Sequence, residues 1–154
     1  MRKKNNILIN QIINNCKKNP FKKIISDSKK SLTYSDLLNY AFENSKQIKR
    51  YKSKFIPILI DRNVESVIAI FSVILADKAF CPISNDFPKQ RILYFLDKLK
   101  CNFLINCSDK GIKFKNQKKI ILKKHNKDFK IPFFKNIDKT FYLLFTSGST
   151  GEPK

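Results

Sequence analysis

Apolar residues in the first third of the chain recur at the spacing of amphipathic helices. Residues 7–16 place their apolar side chains on one stripe, and Pro20 stops the pattern, which predicts a first helix packed against the domain. A second helix is predicted to start within residues 31–36, where Thr33 can cap the first turn and Asp36 can complete a capping box. The buried face of this second helix is predicted to contain Leu37, Leu38, Ala41, Phe42 and Ile48.

Three short apolar runs alternate with two helical patterns in the middle of the chain. The runs span residues 55–60, 79–83 and 103–105, and the helical patterns span about 64–76 and 88–99. The first run is almost continuously apolar, which is typical of a strand that is buried on both faces of a parallel sheet. The order strand, helix, strand, helix, strand therefore predicts an α/β fold in which a βαβαβ parallel sheet carries flanking helices.

The segments outside this alternation are predicted to lie at its edges. Residues 23–25 are predicted to form a short strand. The lysine-rich residues 108–139 break the rhythm and contain short strand-like pieces at residues 112–114 and 120–122, and we interpret them as an edge hairpin or a peripheral loop. Residues 141–145 are again apolar, which predicts a final buried strand that leads into the last residues of the chain. No domain boundary is evident, and 154 residues suffice for one sizeable core.

The chain is strongly basic, with a formal net charge of +20. Such a charge is typical of proteins that bind nucleic acids or anionic membranes. However, 28 of the 32 basic residues are lysines scattered along the chain, whereas recognition of phosphates and bases usually relies on arginine. Because asparagine, isoleucine and phenylalanine are also abundant, we attribute the charge mainly to an AT-rich coding sequence. A non-catalytic basic fragment that binds nucleic acid or a protein partner stays the alternative.

The four cysteines show no paired spacing of metal ligands, and the sole histidine lies apart from them in a lysine-rich stretch. We expect buried or half-buried thiols in a reducing cytosol, and no metal site. Polar residues interrupt the apolar positions that follow the basic start of the chain, so the continuous core of a signal peptide is missing. No apolar run approaches the ~18 residues of a membrane span. The sequence therefore predicts a soluble, cytoplasmic protein.

The end of the chain has the composition of a phosphate-binding loop. Residues 146–154 combine four hydroxyl side chains, two glycines and a terminal lysine. Phosphate oxygens need several donors and close backbone approach, which Gly148 and Gly151 allow because they lack a Cβ atom. In the common NTPase loop the lysine directly follows the second glycine, whereas here Glu152 and Pro153 intervene. The segment therefore predicts a phosphate loop of a different class.

Residues 142–154, which read YLLFTSGSTGEPK, closely resemble the phosphate-loop signature of the AMP-binding, adenylate-forming enzymes. This superfamily includes acyl-CoA synthetases and the adenylation domains of non-ribosomal peptide synthetases. Residues 32–37 (LTYSDL), 76–83 (ADKAFCPI) and 87–92 (FPKQRI) are similar to further family segments, so the resemblance covers nearly the whole chain. It implies that residues 1–154 are the N-terminal portion of an adenylation domain, truncated after the phosphate loop, and belong to its large N-terminal domain.

The same resemblance points within the superfamily. The arrangement of Pro82-Ile83 and then residues 87–92 is more typical of amino-acid-adenylating members than of acyl-CoA synthetases, which stay the alternative. Three positions depart from the family pattern: Asp77 replaces the usual glycine, Asn85-Asp86 replaces the commoner Asp-Pro, and Gln90 replaces glutamate. None of these departures touches the expected chemistry.

The resemblance implies ATP-dependent activation of a carboxylic acid, here an amino acid, as an acyl-adenylate, followed by thioester formation on a phosphopantetheine thiol. The implied partners are the small-molecule carboxylate and a carrier protein, and nucleic acid is not among them. Mg²⁺ is implied together with ATP, with its glutamate ligand downstream, and no catalytic residue is expected within residues 1–154. The implied ATP-phosphate contacts are Thr146, Ser147, Gly148, Ser149, Thr150, Gly151 and Lys154.

We expect purified residues 1–154 to form no acyl-adenylate. The resemblance assigns the carboxylate pocket, the adenosine contacts and the magnesium-binding glutamate to positions after Lys154. Trapping of adenylates with hydroxylamine, across a panel of amino acids, measures this activity. Hydroxamate formation above a protein-free control would contradict the expectation.

Overall fold

The computed structural model describes residues 7–108, 110, 118–120 and 142–145. Within these residues, helices and strands alternate through the middle of the chain, as the apolar pattern predicts. The elements are α1 (Ile7–Lys18), β1 (Lys23–Ser26), β2 (Ser31–Thr33), α2 (Tyr34–Ile48), β3 (Phe55–Ile60), α3 (Val64–Leu75), β4 (Ala79–Ser84), α4 (Lys89–Lys98), β5 (Phe103–Asn106) and β6 (Lys118–Ile120).

The main sheet is parallel, with β3 at its centre. The strand order is β4-β3-β5-β6, and every pairing in it is parallel. The whole of β3 pairs with β4, while Ile58 and Leu59 also pair with β5. The chain therefore adds β4 on one side of β3 and then crosses to place β5 on the other side. The predicted α/β fold with a βαβαβ parallel sheet is confirmed.

The central strand β3 is buried on both faces because α3 and α4 lie on opposite sides of the sheet. Ile56 and Ile58 pack into one apolar cluster with α3, and Leu59 packs into a second cluster with α4. All three side chains are fully buried. Burying a side chain of this size contributes about 1.5–3 kcal/mol. The helices α1 and α2 pack in turn against α3.

The capping box predicted for the second helix is confirmed. The backbone N–H of Asp36 donates to Thr33 Oγ1 at 3.1 Å, and the backbone N–H of Thr33 donates to Asp36 Oδ2 at 3.0 Å. The predicted start of the helix within residues 31–36 is confirmed, because α2 begins at Tyr34, while residues 31–33 form β2, antiparallel to β1. Thr33 has extended backbone angles, so one residue both ends a strand and caps a helix.

Two predictions for the later part of the chain need correction. Residues 118–120, within the segment interpreted as an edge hairpin or loop, form an edge strand that is parallel to β5. Residues 141–145 are not the buried strand that was predicted: among those described, Tyr142 and Leu144 are exposed, at 56% and 55%. This segment lies along the outer edge of β4, where α4 covers only the side that carries Leu143 and Phe145.

Both helices of the βαβαβ unit end in a left-handed residue that is not glycine. Asp77 follows α3 with φ 59°, and Lys100 follows α4 with φ 51°. After α4, the N–H of Lys100 donates to Asp97 O at 2.8 Å and that of Cys101 donates to Leu96 O at 2.9 Å, which is a Schellman motif. A residue with a Cβ atom adopts this conformation at a cost of roughly 1–2 kcal/mol.

We expect Lys100→Gly to stabilise the protein by up to about 1 kcal/mol, because glycine adopts positive φ without steric cost. The greater conformational freedom of glycine in the unfolded chain offsets part of this gain. Urea unfolding measures the change. Lys100→Ala is the matched control: it removes the same charge but keeps a Cβ atom, so it should change the free energy of unfolding little. Equal effects of the two substitutions would contradict the steric explanation.

Candidate functional site

The connections of the sheet create a crevice at one edge. After β3 the chain turns to α3 on one face, and after the neighbouring β4 it turns to α4 on the other face. Where adjacent parallel strands send their connections to opposite faces, the loops separate and leave room beyond the carboxyl ends of the strands. Ligands of open α/β sheets bind at such a point, which makes the ends of β3 and β4 the candidate site.

A polar network joins the ends of three strands at this edge. Asp61 follows β3, Asn85 follows β4 and Ser108 lies just after β5. The side-chain amide of Asn85 donates to Asp61 Oδ2 at 2.6 Å and to Ser108 Oγ at 3.3 Å. Asn85 is 7% exposed, so its amide is largely shielded from water. Because buried polar groups need partners, this one side chain fixes the relative positions of the three loops.

The start of α3 is fixed by two further side chains. Asn63 caps the helix, since its Oδ1 accepts from the Ser66 N–H at 3.0 Å, and its Nδ2 donates to Cys107 O at 2.6 Å. Asp27 reaches the same helix from the β1–β2 turn and accepts from the Val64 N–H at 2.8 Å. Backbone N–H donors, that of Val64 first, lower the pKa of Asp27 below its ordinary value. A carboxylate at this helix end is also favoured by the helix dipole.

The crevice is an open cleft of about 540 Å³ with charged walls. Arg62 is exposed at one side, and the Lys110 ammonium pairs with the Asp86 carboxylate at the other. The hydrogen bond from Lys110 and its positive charge lower the pKa of Asp86, and the Arg62 charge adds a smaller effect. The lining residues are Ile60, Asp61, Arg62, Ser84, Asn85, Asp86 and Lys110.

The predicted phosphate contacts in residues 146–154 lie outside the described residues, but the segment that leads to them is described. Tyr142 forms a parallel bridge with Phe80 of β4, and the Leu143 N–H donates to Phe80 O at 3.0 Å. Phe145 stacks on Phe95 of α4, with ring centroids 4.3 Å apart. Because the segment runs parallel to β4, it runs toward the edge that holds the crevice.

The sequence carried a signal for this network that our predictions did not use. Asp61, Asn85 and Ser108 each follow closely on an apolar strand run, and the ends of parallel strands meet at one edge. Lys110 had no such signal, because it belongs to a segment in which lysine is common.

Neither the thiols nor the carboxylates form a metal centre in the part of the chain that the structure describes. No group of three or more His, Cys, Asp or Glu side chains there could hold a metal ion. All four cysteines fall within this part and are buried as thiols. Burial, with a smaller effect of Cys101, raises the pKa of the Cys81 thiol to about 12, so this thiol is not a nucleophile near neutral pH. No helix among the described residues is both long and apolar enough to cross a membrane.

Comparison with known proteins assigns the family. The sequence profile of the AMP-binding enzyme family matches residues 13–154, which is most of the chain. Gramicidin S synthase 2 of Brevibacillus brevis is 30% identical over 135 residues, covering 80% of this chain but 3% of that protein. The chain therefore belongs to the AMP-binding enzymes, and it spans only a small part of the curated relatives that it matches.

Solved structures agree on the fold. PA1221, a non-ribosomal peptide synthetase protein with adenylation and PCP domains, superposes with a TM-score of 0.73 at 19% identity, covering 96% of this chain and 31% of that one. The O-succinylbenzoate coenzyme A synthetase MenE of Bacillus subtilis, in complex with AMP, also gives 0.73 at 19% identity, covering 93% and 40%. The described fold is thus shared with part of each of these two structures.

We expect Asn85→Leu to lower the free energy of unfolding by about 1–3 kcal/mol, because it removes the donor that Asp61 and Ser108 share. Asp86→Asn is the matched control at the neighbouring residue: it breaks only the exposed pair with Lys110, which water screens, so it should change the free energy of unfolding little. Urea unfolding of both variants measures the difference. A loss for Asn85→Leu no larger than that for Asp86→Asn would contradict the role given to the network.

Proposed function

We propose that this chain is the N-terminal portion of an adenylation domain that activates an amino acid as its acyl-adenylate. One observation carries the proposal: the family match runs through residue 154 and so includes the whole string 146–154. The 30% identity to Gramicidin S synthase 2 supports the amino acid as the class of carboxylate. The proposed second step transfers the acyl group to the thiol of a phosphopantetheine group on a carrier protein.

In the proposed reaction, a carboxylate oxygen of the substrate attacks the α-phosphorus of ATP. A P–O bond forms, the bond between the α-phosphorus and the bridging oxygen breaks, and pyrophosphate leaves. The thiol then attacks the acyl carbon and releases AMP. Because charge builds up on the leaving pyrophosphate, donors fixed around the β- and γ-phosphates would lower the barrier.

The proposed donors are those of the terminal loop. The hydroxyls of Thr146, Ser147, Ser149 and Thr150, and the backbone at Gly148 and Gly151, would surround the phosphates, and Lys154 would supply a positive charge. The described segment 142–145 supports this role, since it runs parallel to β4 toward the crevice between β3 and β4. Asp61, Asn85 and Ser108 would act as the scaffold of that edge.

Mg²⁺ is proposed to accompany ATP without a ligand from the described part of the chain. The carboxylates at the crevice are already engaged there: Asp61 Oδ2 accepts from Asn85 and Asp61 Oδ1 accepts from the Arg62 N–H, while Asp86 pairs with Lys110. Mg²⁺ prefers free carboxylate oxygens or phosphate oxygens, so the proposed ligands are the phosphates and the glutamate expected downstream.

An acyl-CoA synthetase is the second candidate, because MenE superposes as well as the peptide synthetase protein does. The fold alone does not separate the two classes, whereas the sequence identity favours the peptide synthetases. Pyrophosphate exchange in the full-length protein separates them: amino acids should support exchange, and fatty or aromatic acids should not.

We expect Lys154→Ala in the full-length protein to lower ATP–pyrophosphate exchange by about 10²–10³-fold, the range for removing one preorganised group that stabilises transition-state charge. Lys52→Ala, at an exposed lysine far along the chain from the loop, is the matched control and should leave the exchange rate unchanged. Unchanged exchange in the Lys154→Ala enzyme would contradict the phosphate role of this lysine.

A further inference from the structure

A phenylalanine stands at the tip of the turn between α1 and β1. The N–H of Lys22 donates to Asn19 O at 3.1 Å, which closes a β-turn with Pro20 and Phe21 in the central positions. Phe21 is 83% exposed, the highest value among the large hydrophobic side chains that the structure describes. Exposure of an apolar ring to water is unfavourable, and burial of this ring in an apolar environment would be favourable.

Backbone hydrogen bonds hold this turn in place. The N–H of Ser35 donates to Pro20 O at 3.0 Å, and the N–H of Tyr34 donates to Lys22 O at 3.2 Å. Both donors belong to the first turn of α2, so the turn is anchored on a helix of the core. Proline also fixes the backbone next to Phe21. The ring is therefore held out from the surface by the fold.

The charged residues that flank Phe21 in the sequence are all basic. Lys17, Lys18, Lys22 and Lys23 are all exposed, and residues 17–26 contain no acidic side chain. Within the described residues, none of these four lysines forms an ion pair. The next acidic residue, Asp27, accepts hydrogen bonds from three backbone N–H groups instead. We call residues 17–23 the basic turn.

We propose that the basic turn docks the protein on an anionic membrane surface, with Phe21 entering the boundary between headgroups and acyl chains. Phe21 stands at the tip of a single turn, which is far smaller than the roughly 800 Å² that each partner buries in a stable protein interface. A bilayer needs no such complementarity. Lysine is a point charge without the arginine fork that recognises individual phosphates, so it suits a diffuse anionic surface.

The expected strength is that of a reversible peripheral contact. Each lysine near an anionic leaflet increases partitioning by about fivefold, and one inserted aromatic ring adds about tenfold. The net charge of +20 is general to the chain, but the exposed ring singles out this turn. No residue of the basic turn lines the crevice, so the membrane contact can be tested separately from the proposed adenylation.

Flotation of the full-length protein with phospholipid vesicles tests the proposal. We expect the protein to float with vesicles that contain phosphatidylserine and not with pure phosphatidylcholine, and to be released by high salt. Phe21→Ser, which leaves the charge unchanged, should lower partitioning about tenfold. Replacing Lys17, Lys18, Lys22 and Lys23 with glutamine should abolish flotation.

The matched control removes the same charge elsewhere. Glutamine at the exposed lysines Lys52, Lys54, Lys89 and Lys100, combined with Leu93→Ser at the 40% exposed leucine of α4, should keep most of the binding. Circular dichroism checks that each variant is folded. Equal losses in the control, or normal flotation of Phe21→Ser, would overturn the proposal. The proposal would also be overturned if RNA or poly-glutamate displaced the protein from vesicles and bound the wild type and Phe21→Ser equally well. That result would show that the turn binds soluble polyanions.

Discussion

The burial of β3 on both faces is the constraint on which the rest of the structure depends. Ile56 and Ile58 need α3 on one side of the sheet, and Leu59 needs α4 on the other. Because the two helices must therefore follow neighbouring strands in opposite directions, the loops after β3 and β4 separate. The crevice results from the division of the apolar core between the two faces of the sheet. Its formation does not depend on which polar residues line it.

Asn85 shows how this edge adapts to its own sequence. By the resemblance drawn from the sequence, Asn85-Asp86 stands where the family more commonly has Asp-Pro. The amide of Asn85 donates to both Asp61 and Ser108 and so connects three loops that strand pairing alone does not connect. Asp86 is exposed and pairs with Lys110. One substitution thus supports the scaffold, while its neighbour shapes the electrostatics of the cleft.

The sequence was sufficient for the parts of the fold that periodicity determines. The apolar run at residues 55–60 predicted a central parallel strand, and the Thr33–Asp36 spacing predicted a capping box that the structure confirms. Edge pairing was not predictable in this way. Tyr142 and Leu144 look as apolar as a buried strand, yet their exposure depends on which neighbours cover the outer side of β4. The apolar residues 120–122 indicate a short strand, but the parallel pairing of Lys118–Ile120 with β5 depends on backbone bonds that the side chains do not specify.

For the candidate site, too, local sequence patterns predict one part, and the other part requires the strand order. Residue types and spacing predict a phosphate loop at residues 146–154, and the match to the family profile spans these residues, whose phosphate contacts stay a prediction. The polar network of Asp61, Asn85 and Ser108 became visible only with the strand order, because the three residues are distant in sequence. Which strands are neighbours is a property of the whole sheet, and no local pattern encodes it.

The central claim is that the ATP phosphates bind beyond the carboxyl ends of β3 and β4, on residues 146–154. A crystal structure of the full-length protein with a non-hydrolysable ATP analogue tests it most directly. The account predicts β- and γ-phosphate oxygens within hydrogen-bonding distance of residues 146–151 and of the Lys154 ammonium. A triphosphate bound at another edge of the sheet, out of contact with these residues, would contradict it.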